Sequence, residues 1–184
     1  MVKYKLTQAT SLMNTEGLIG PYSSTEDFVK ELQRFLKITK VCENDNLEAC
    51  WPTSTITVPT QEGTFTTKEV SKLKTGTDIS SLGLGTKDTA TMGIVFADGT
   101  PMILTYSPVC TPLDMYRNYE YSFQDNKPVT NATTNCISAI FDINGAKEPN
   151  RIGTDVRTLN SLFGYQKLPK YAATDADKSF VLAQ

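Results

Sequence analysis

Residues 91–106 read TMGIVFADGTPMILTY, the clearest strand–turn–strand pattern in the sequence. Two apolar segments, residues 91–97 and residues 101–106, flank the dipeptide Asp98-Gly99. The apolar segments have the composition of strands, and Asp-Gly between such segments is a strong signal for a tight hairpin turn. The stretch therefore predicts two consecutive antiparallel strands.

Further strand signals lie on both sides of this hairpin. Residues 54–58 alternate between polar and apolar side chains, and residues 136–143 form an apolar run that ends before Asn144-Gly145. Residues 62–82 are polar and contain several Gly and Thr residues. That composition predicts an excursion or loop with a short helical turn near Lys68–Leu73.

Two helices are predicted ahead of these strands. The first covers residues 4–16, where apolar side chains recur at helical spacing: Leu6, Ala9, Leu12 and Met13. The second begins with a capping box made by Ser23 and Glu26 and is expected to end near Lys40. Its apolar face comprises Phe28, Val29, Leu32, Phe35 and Leu36.

This order of elements, helices first and an antiparallel sheet afterwards, predicts an α+β fold with a helix packed on one sheet face. An alternating strand–helix–strand pattern is absent from the sequence, which argues against a doubly wound nucleotide-binding fold. The 184 residues contain no linker or repeat, so we expect residues 1–184 to form a single domain.

Composition excludes several functional classes. The net charge of −2 leaves no broad basic field, so no nucleic-acid partner is expected. The sequence has no histidine, which removes the commonest general base and the commonest metal ligand at neutral pH. No Gly-x-Ser-x-Gly elbow or P-loop appears, and the sequence predicts no catalytic or cofactor-binding residues.

Four cysteines are present, at Cys42, Cys50, Cys110 and Cys136. An even number without a CxxC pair favours two disulfides in an oxidising compartment, with four buried free thiols as the alternative. Four cysteines allow three pairings. We favour Cys42–Cys50, which closes a short loop, and Cys110–Cys136, which would then join neighbours in the sheet. No signal peptide opens the sequence, so we expect an exported protein to carry a further segment before Met1.

Three segments of the sequence carry a family resemblance. The first is the leading helix followed by FVKELQRFLK (residues 28–37) and a cysteine; the second is GIVFADGT (residues 93–100). The third, FDINGAKEPNRIGTDV (residues 141–156), is the most specific. It is similar to the Asp-x-Asn-Gly … Pro-Asn … Gly-x-Asp stretch of many prepilin-like sequences. The chain thus resembles the soluble C-terminal domain of type IV pilins and pseudopilins.

The resemblance implies a pilin-like fold in which residues 4–16 are the C-terminal half of a long spine helix packed on an antiparallel β-sheet. The apolar half of that helix, which anchors pilins in the inner membrane, is missing from the sequence. The resemblance also implies a structural subunit, not an enzyme, of a type IV pilus or a type II secretion-like pseudopilus. Its partners would be other pilin-like subunits, and its location the periplasm or the cell surface.

A calcium site is a further expectation. Some pseudopilins bind calcium in a late loop, and Asp142, Asn144, Asn150 and Asp155 offer side-chain oxygens there. Lys147 and Arg151 lie within the same loop and oppose a cation. The alternative is a hydrogen-bonded turn in which these side chains cap their own backbone.

A secreted binding module or adhesin on the same fold is the alternative function. Its contact surface would be either the polar excursion at residues 62–90 or the aromatic cluster at residues 116–123, where Tyr119, Tyr121 and Phe123 alternate. A strand face explains that alternation equally well. Saturable glycan binding would favour the adhesin, and turnover of an ester or peptide would favour an enzyme.

Overall fold

The computed structural model describes residues 2–18, 22–60, 62–76, 78, 89–106, 119–122, 127–130, 137–161, 170–171 and 180–181. Two helices come first, α1 (Val2–Thr15) and α2 (Thr25–Leu32). The strands that follow are β1 (Ile38–Cys42), β2 (Thr55–Pro59), β3 (Phe65–Glu69), β4 (Met92–Phe96), β5 (Pro101–Tyr106), β6 (Tyr119–Ser122), β7 (Lys127–Thr130), β8 (Ile137–Asp142), β9 (Val156–Ser161), β10 (Lys170–Tyr171) and β11 (Phe180–Val181).

Five of these strands form one antiparallel sheet in the order β1-β4-β5-β8-β9. The predicted hairpin of β4 and β5 therefore lies at its centre. β1 is one edge of the sheet, and its pairing with β4 is irregular between Ile38 and Lys40. The remaining strands pair in twos: β2 with β3, β6 with β7, and β10 with β11.

Both faces of the sheet are covered, which explains why every residue of β5 is buried. On one face the two helices pack against alternate sheet residues, among them Met102, Leu104 and Tyr106 of β5. On the other face Ile103 and Ile140 pack against the β2–β3 ribbon and against Leu47 and Trp51. The α+β expectation, with the N-terminal helix on an antiparallel sheet, is thus confirmed.

The second helix differs from the prediction at both ends. Its N-cap is Ser24, whose hydroxyl accepts from the N–H of Asp27 at 3.1 Å, one residue later than the predicted Ser23–Glu26 box. It ends at Leu32 and not near Lys40. Phe35 and Leu36 still pack against the helix-side core, but from a turn. The apolar periodicity therefore continues past the last helical residue.

The strands and α1 also differ from the sequence prediction. Phe65–Glu69, predicted as part of a loop, is strand β3, and the predicted helical turn is a short 3-10 turn at Val70–Lys72. β1 and β9 were not predicted at all. Within α1, Leu12 was assigned to the apolar stripe, yet its side chain is 51% exposed, because the buried face is formed by Val2, Leu6, Ala9 and Met13.

Cys42 and Cys50 form the predicted disulfide, which indicates an oxidising, extracytoplasmic location. The other predicted pair, Cys110 and Cys136, lies outside the described residues. Of the aromatic cluster, Tyr119 and Tyr121 belong to β6, as the alternation predicted, while Phe123 is outside the described part. Among the described helices, none has the length and apolar character needed to cross a membrane.

Candidate functional site

The loop between β8 and β9, residues 143–155, contains three of the four residues that the sequence suggested as metal ligands, and the fourth, Asp142, is the last residue of β8. β8 ends at Asp142 and pairs there with Val156, the first residue of β9. Strand directions place this loop at the same end of the sheet as the turn between β4 and β5. The β8–β9 loop is therefore closed at its base by the sheet itself.

Asp142 organises the start of the loop. Its Oδ1 accepts hydrogen bonds from the backbone N–H of Asn144 at 2.8 Å and of Gly145 at 3.0 Å. Gly145 has a φ of 71°, the left-handed conformation that glycine adopts without strain. The side chain of Asp142 is 1% exposed and its Oδ2 has no hydrogen-bond partner. Burial raises the pKa of Asp142, although the two backbone N–H groups oppose that shift.

Asp155 organises the end of the loop. Its Oδ1 accepts from the backbone N–H of Arg151 at 2.6 Å and of Val156 at 3.1 Å. Its Oδ2 accepts from the N–H of Asn150 at 2.8 Å and from Nδ2 of Asn144 at 3.3 Å. Burial alone would raise the pKa of Asp155, but these hydrogen bonds outweigh it and hold the pKa below its usual value. All four acceptor positions of this carboxylate are therefore occupied.

The same loop holds the β2–β3 ribbon against the sheet. The N–H of Thr57 donates to the carbonyl of Asn150 at 2.8 Å, and the N–H of Ile152 donates to the carbonyl of Thr57 at 2.9 Å. The Arg151 guanidinium lies 4.1 Å from the ring centroid of Phe65, which is 52% exposed. Asp155 thus positions the backbone on which the second layer of the protein rests.

Calcium takes six to eight oxygen ligands, and this requirement can be compared with the oxygens present. The structure does bring the four predicted residues together, since Asn144 and Asn150 both donate to Asp155. Within the described part of the chain, the buried side-chain oxygens without a partner are Asp142 Oδ2 and Asn150 Oδ1. Among the described residues no group of three or more His, Cys, Asp or Glu side chains is placed to hold a metal. The four residues are arranged as a hydrogen-bonded turn, the alternative named from the sequence, and calcium binding by them stays a prediction.

Asp98 lies in the β4–β5 turn, as expected. Its Oδ1 accepts from the N–H of Thr100 at 3.1 Å, and its Oδ2 forms an ion pair with Lys5 of α1. The hydrogen bond from Lys5 lowers the pKa of Asp98 to about 2. This pair fixes the N-terminal part of α1 to the central hairpin, a role that the turn signal alone did not reveal.

The outward face of α1 is a feature that sequence analysis missed. The exposed side chains described on this helix are all uncharged: Tyr4, Gln8, Ser11, Leu12 and Thr15. Tyr4 is 65% exposed and its hydroxyl accepts from Nε2 of Gln8 at 2.8 Å. A groove of about 430 Å³ runs beside them, lined by Lys5, Gln8, Ala9, Ser11, Leu12, Phe35 and Leu36. We call this surface the α1 face.

Comparison of the chain with protein-family models, with curated proteins and with solved structures finds no match.

Proposed function

We propose that this chain is the globular domain of a pilin-like subunit that assembles into a filament at the bacterial cell surface. The observation that carries the proposal is the α1 face. A helix that met only water would normally carry charged residues on its outer side, whereas the described exposed side chains of α1 include Tyr4 and Leu12 and no charge. Lys5, which borders the groove, is partly exposed and is paired with Asp98. Helix surface that is poor in charge and exposes large apolar groups is typical of subunit contacts.

Three other features support the same proposal. The N-terminal helix rests on an antiparallel sheet, the arrangement that the resemblance to pilins implies. The Cys42–Cys50 disulfide suits a periplasmic or surface location. The β8–β9 loop, whose sequence carries most of the resemblance, is held by buried carboxylates as a structural element. We propose that the subunit's partners are other pilin-like chains, in either a pilus or a secretion pseudopilus.

The experiment is a charge insertion on the α1 face, made in the gene of the source bacterium. Because Leu12 is exposed, Leu12→Glu should leave the folding of the isolated subunit intact. In a filament, the new carboxylate would be buried at the contact between two subunits. We expect normal amounts of folded subunit and loss of surface filaments that an antibody to this chain labels in electron micrographs. Thr67→Glu, on the exposed strand β3, is the matched control and should leave filaments unchanged. Normal labelled filaments with Leu12→Glu, or no labelled filaments in the wild type, would reject the proposal.

One observation favours the second candidate, a surface binding module. Phe65 of β3 is half exposed, and its ring lies against the guanidinium of Arg151 in the β8–β9 loop. An aromatic ring beside a guanidinium is a common contact surface for ligands. Saturable glycan binding that Phe65→Ala abolishes and Leu12→Glu leaves intact would support this function. Unchanged glycan binding by Phe65→Ala would remove the structural basis for this second function.

A further inference from the structure

Asn144-Gly145 is the only Asn-Gly pair in the sequence, and it lies in the exposed turn after β8. Glycine has no side chain to crowd its nitrogen, so that nitrogen can reach the side-chain carbonyl carbon of a preceding asparagine. An Asn-Gly pair is for this reason the most reactive asparagine sequence toward deamidation. The position of this pair between two buried carboxylates decides how readily it reacts.

The reaction has two steps. The Gly145 nitrogen attacks Cγ of Asn144, so that an N–Cγ bond forms, the Cγ–Nδ2 bond breaks, and ammonia departs with the proton that the Gly145 nitrogen gives up. Water then opens the five-membered succinimide at one of its two carbonyls. The product at position 144 is aspartate or isoaspartate.

Both reacting groups are hydrogen-bonded in the folded protein. The Gly145 N–H, which must lose its proton, donates to Asp142 Oδ1 at 3.0 Å. The Asn144 amide nitrogen, which must leave, donates to Asp155 Oδ2 at 3.3 Å. Both carboxylates are buried, at 1% and 3% exposure, so water competes little for their oxygens even though Asn144 lies on the surface.

We propose that Asn144 is a site of slow deamidation whose rate is governed by Asp142. The Asp142 carboxylate holds the N–H of the attacking nitrogen, and the nitrogen must leave that hydrogen bond before the succinimide ring can close. The native turn therefore protects Asn144, and the reaction proceeds when the turn opens. Hydrogen bonds to charged groups are among the stronger ones, so losing this one should raise the rate by about tenfold or more.

Conversion would change the loop itself. Asn144 Nδ2 is one of four donors to Asp155, and after deamidation a carboxylate replaces it. Asp155 then has one donor fewer and a like charge nearby, which weakens the hold of Asp155 on residues 150–151. The modified chain would consequently have a looser connection between the β8–β9 loop and the β2–β3 ribbon.

The test is peptide mapping by mass spectrometry of the full chain during incubation at physiological temperature and mildly alkaline pH. Succinimide, aspartate and isoaspartate at position 144 are quantified over time for the wild type, Asp142→Ala and Asp142→Asn. Glu148→Ala is the matched control, because it removes an exposed carboxylate from the same loop. A parallel incubation in urea measures the rate in the unfolded wild type without any substitution.

We expect the unfolded wild type to react about tenfold or more faster than the folded wild type. Folded Asp142→Ala should approach the unfolded rate, Asp142→Asn should lie between because it keeps one acceptor oxygen, and Glu148→Ala should match the wild type. Equal rates in folded and unfolded wild type would overturn the proposal, even if Asp142→Ala did not fold. A slower reaction in folded Asp142→Ala would overturn it too, because Asp142 would then promote the reaction.

Discussion

A Cβ atom placed ideally on Gly93 would lie 2.9 Å from the Cβ atom of Cys50. Gly93 pairs with Cys42 across β1 and β4, so the Cys42–Cys50 disulfide passes directly over it. The same imaginary atom would be 3.4 Å from Cβ of Cys42. Real Cβ atoms essentially never come as close as the 2.9 Å to Cys50, and glycine is therefore required here for space and not for its backbone conformation.

Gly93→Ala should consequently destabilise the protein by about 1–3 kcal/mol, the range for overpacking a well-packed core. Urea unfolding followed by circular dichroism measures the change. Gly63→Ala is a suitable control, since Gly63 has a φ of 77° and open space around it, so only backbone strain of about 1 kcal/mol is expected. A Gly93→Ala variant as stable as the wild type would mean that the disulfide does not lie against β4.

Peptide mapping of the unreduced protein should find Cys42 linked to Cys50, and it also tests the predicted Cys110–Cys136 bond. Replacing both Cys42 and Cys50 by alanine should lower the free energy of unfolding by about 2–3 kcal/mol, the chain-entropy value for so short a loop. In this double variant, a reducing agent should not lower the stability further through residues 42–50. Cross-pairing of Cys42 with Cys110 or Cys136 would contradict the structure.

Asp155→Asn should destabilise the β8–β9 loop, because an asparagine brings a donating amide group toward N–H groups that need acceptors. Because hydrogen bonds to a charged carboxylate are lost, the free energy of unfolding should fall by about 2–4 kcal/mol. Amide hydrogen exchange should quicken first at Asn150 and Arg151, whose N–H groups bond to the Asp155 carboxylate. Asp45→Asn, at an exposed carboxylate, is the control. Unchanged exchange at both amides would show that the Asp155 carboxylate does not hold these N–H groups in solution.

Calcium should raise the unfolding temperature by less than about 1 °C at millimolar concentration, since too few free oxygens are present for a tight site. Thermal unfolding with calcium and with a chelator makes the comparison, and magnesium controls for general ionic effects. A clear calcium-specific increase that Asp142→Asn abolishes would instead restore the metal site. In that case Asp142 Oδ2 and Asn150 Oδ1 would be the ligands to examine.

The Lys5–Asp98 ion pair predicts a specific pH dependence. Because the folded pKa of Asp98 is lowered to about 2, the pair's contribution is fully present above the unfolded pKa of about 3.9. It is lost as pH falls through the folded pKa. Asp98→Asn, which keeps an acceptor for Thr100, should reduce stability by about 0.2–1 kcal/mol near neutral pH, because both side chains are partly exposed. The difference from the wild type should disappear toward pH 2; a constant difference would exclude the ion pair as its cause.

The parts of the fold that were predicted are those with local signals. The β4–β5 hairpin follows from apolar segments around Asp98-Gly99, and β8 follows from a continuous apolar run. β1 has three exposed residues in a row and no alternation, so only its pairing with β4 makes it a strand. The end of α2 was misjudged because Phe35 and Leu36 keep a helical spacing while packing from a turn.

For the candidate site, the structure adds the hydrogen bonds of the predicted residues, and calcium binding by them stays a prediction. Sequence reasoning placed Asp142, Asn144 and Asp155 in one loop and also stated the alternative of Asx side chains that bond to the backbone. It could not show which lone pairs accept backbone hydrogen bonds, because that depends on the folded course of the loop. The α1 face was missed for another reason. Helical periodicity identifies an apolar stripe, but tertiary packing determines which side of the helix faces the sheet. In this protein the packing leaves Leu12 on the exposed side.

The irregular pairing of β1 limits how copies of this protein can meet. An exposed sheet edge invites strand addition from another chain, which leads to uncontrolled aggregation. Here the edge strand is interrupted between Ile38 and Lys40, and an exposed lysine stands at the interruption. A chain that added to this edge would meet an irregular strand and the charged side chain of Lys40. These two features disfavour strand addition here, so contacts through side chains, which can be both specific and reversible, are favoured on this side.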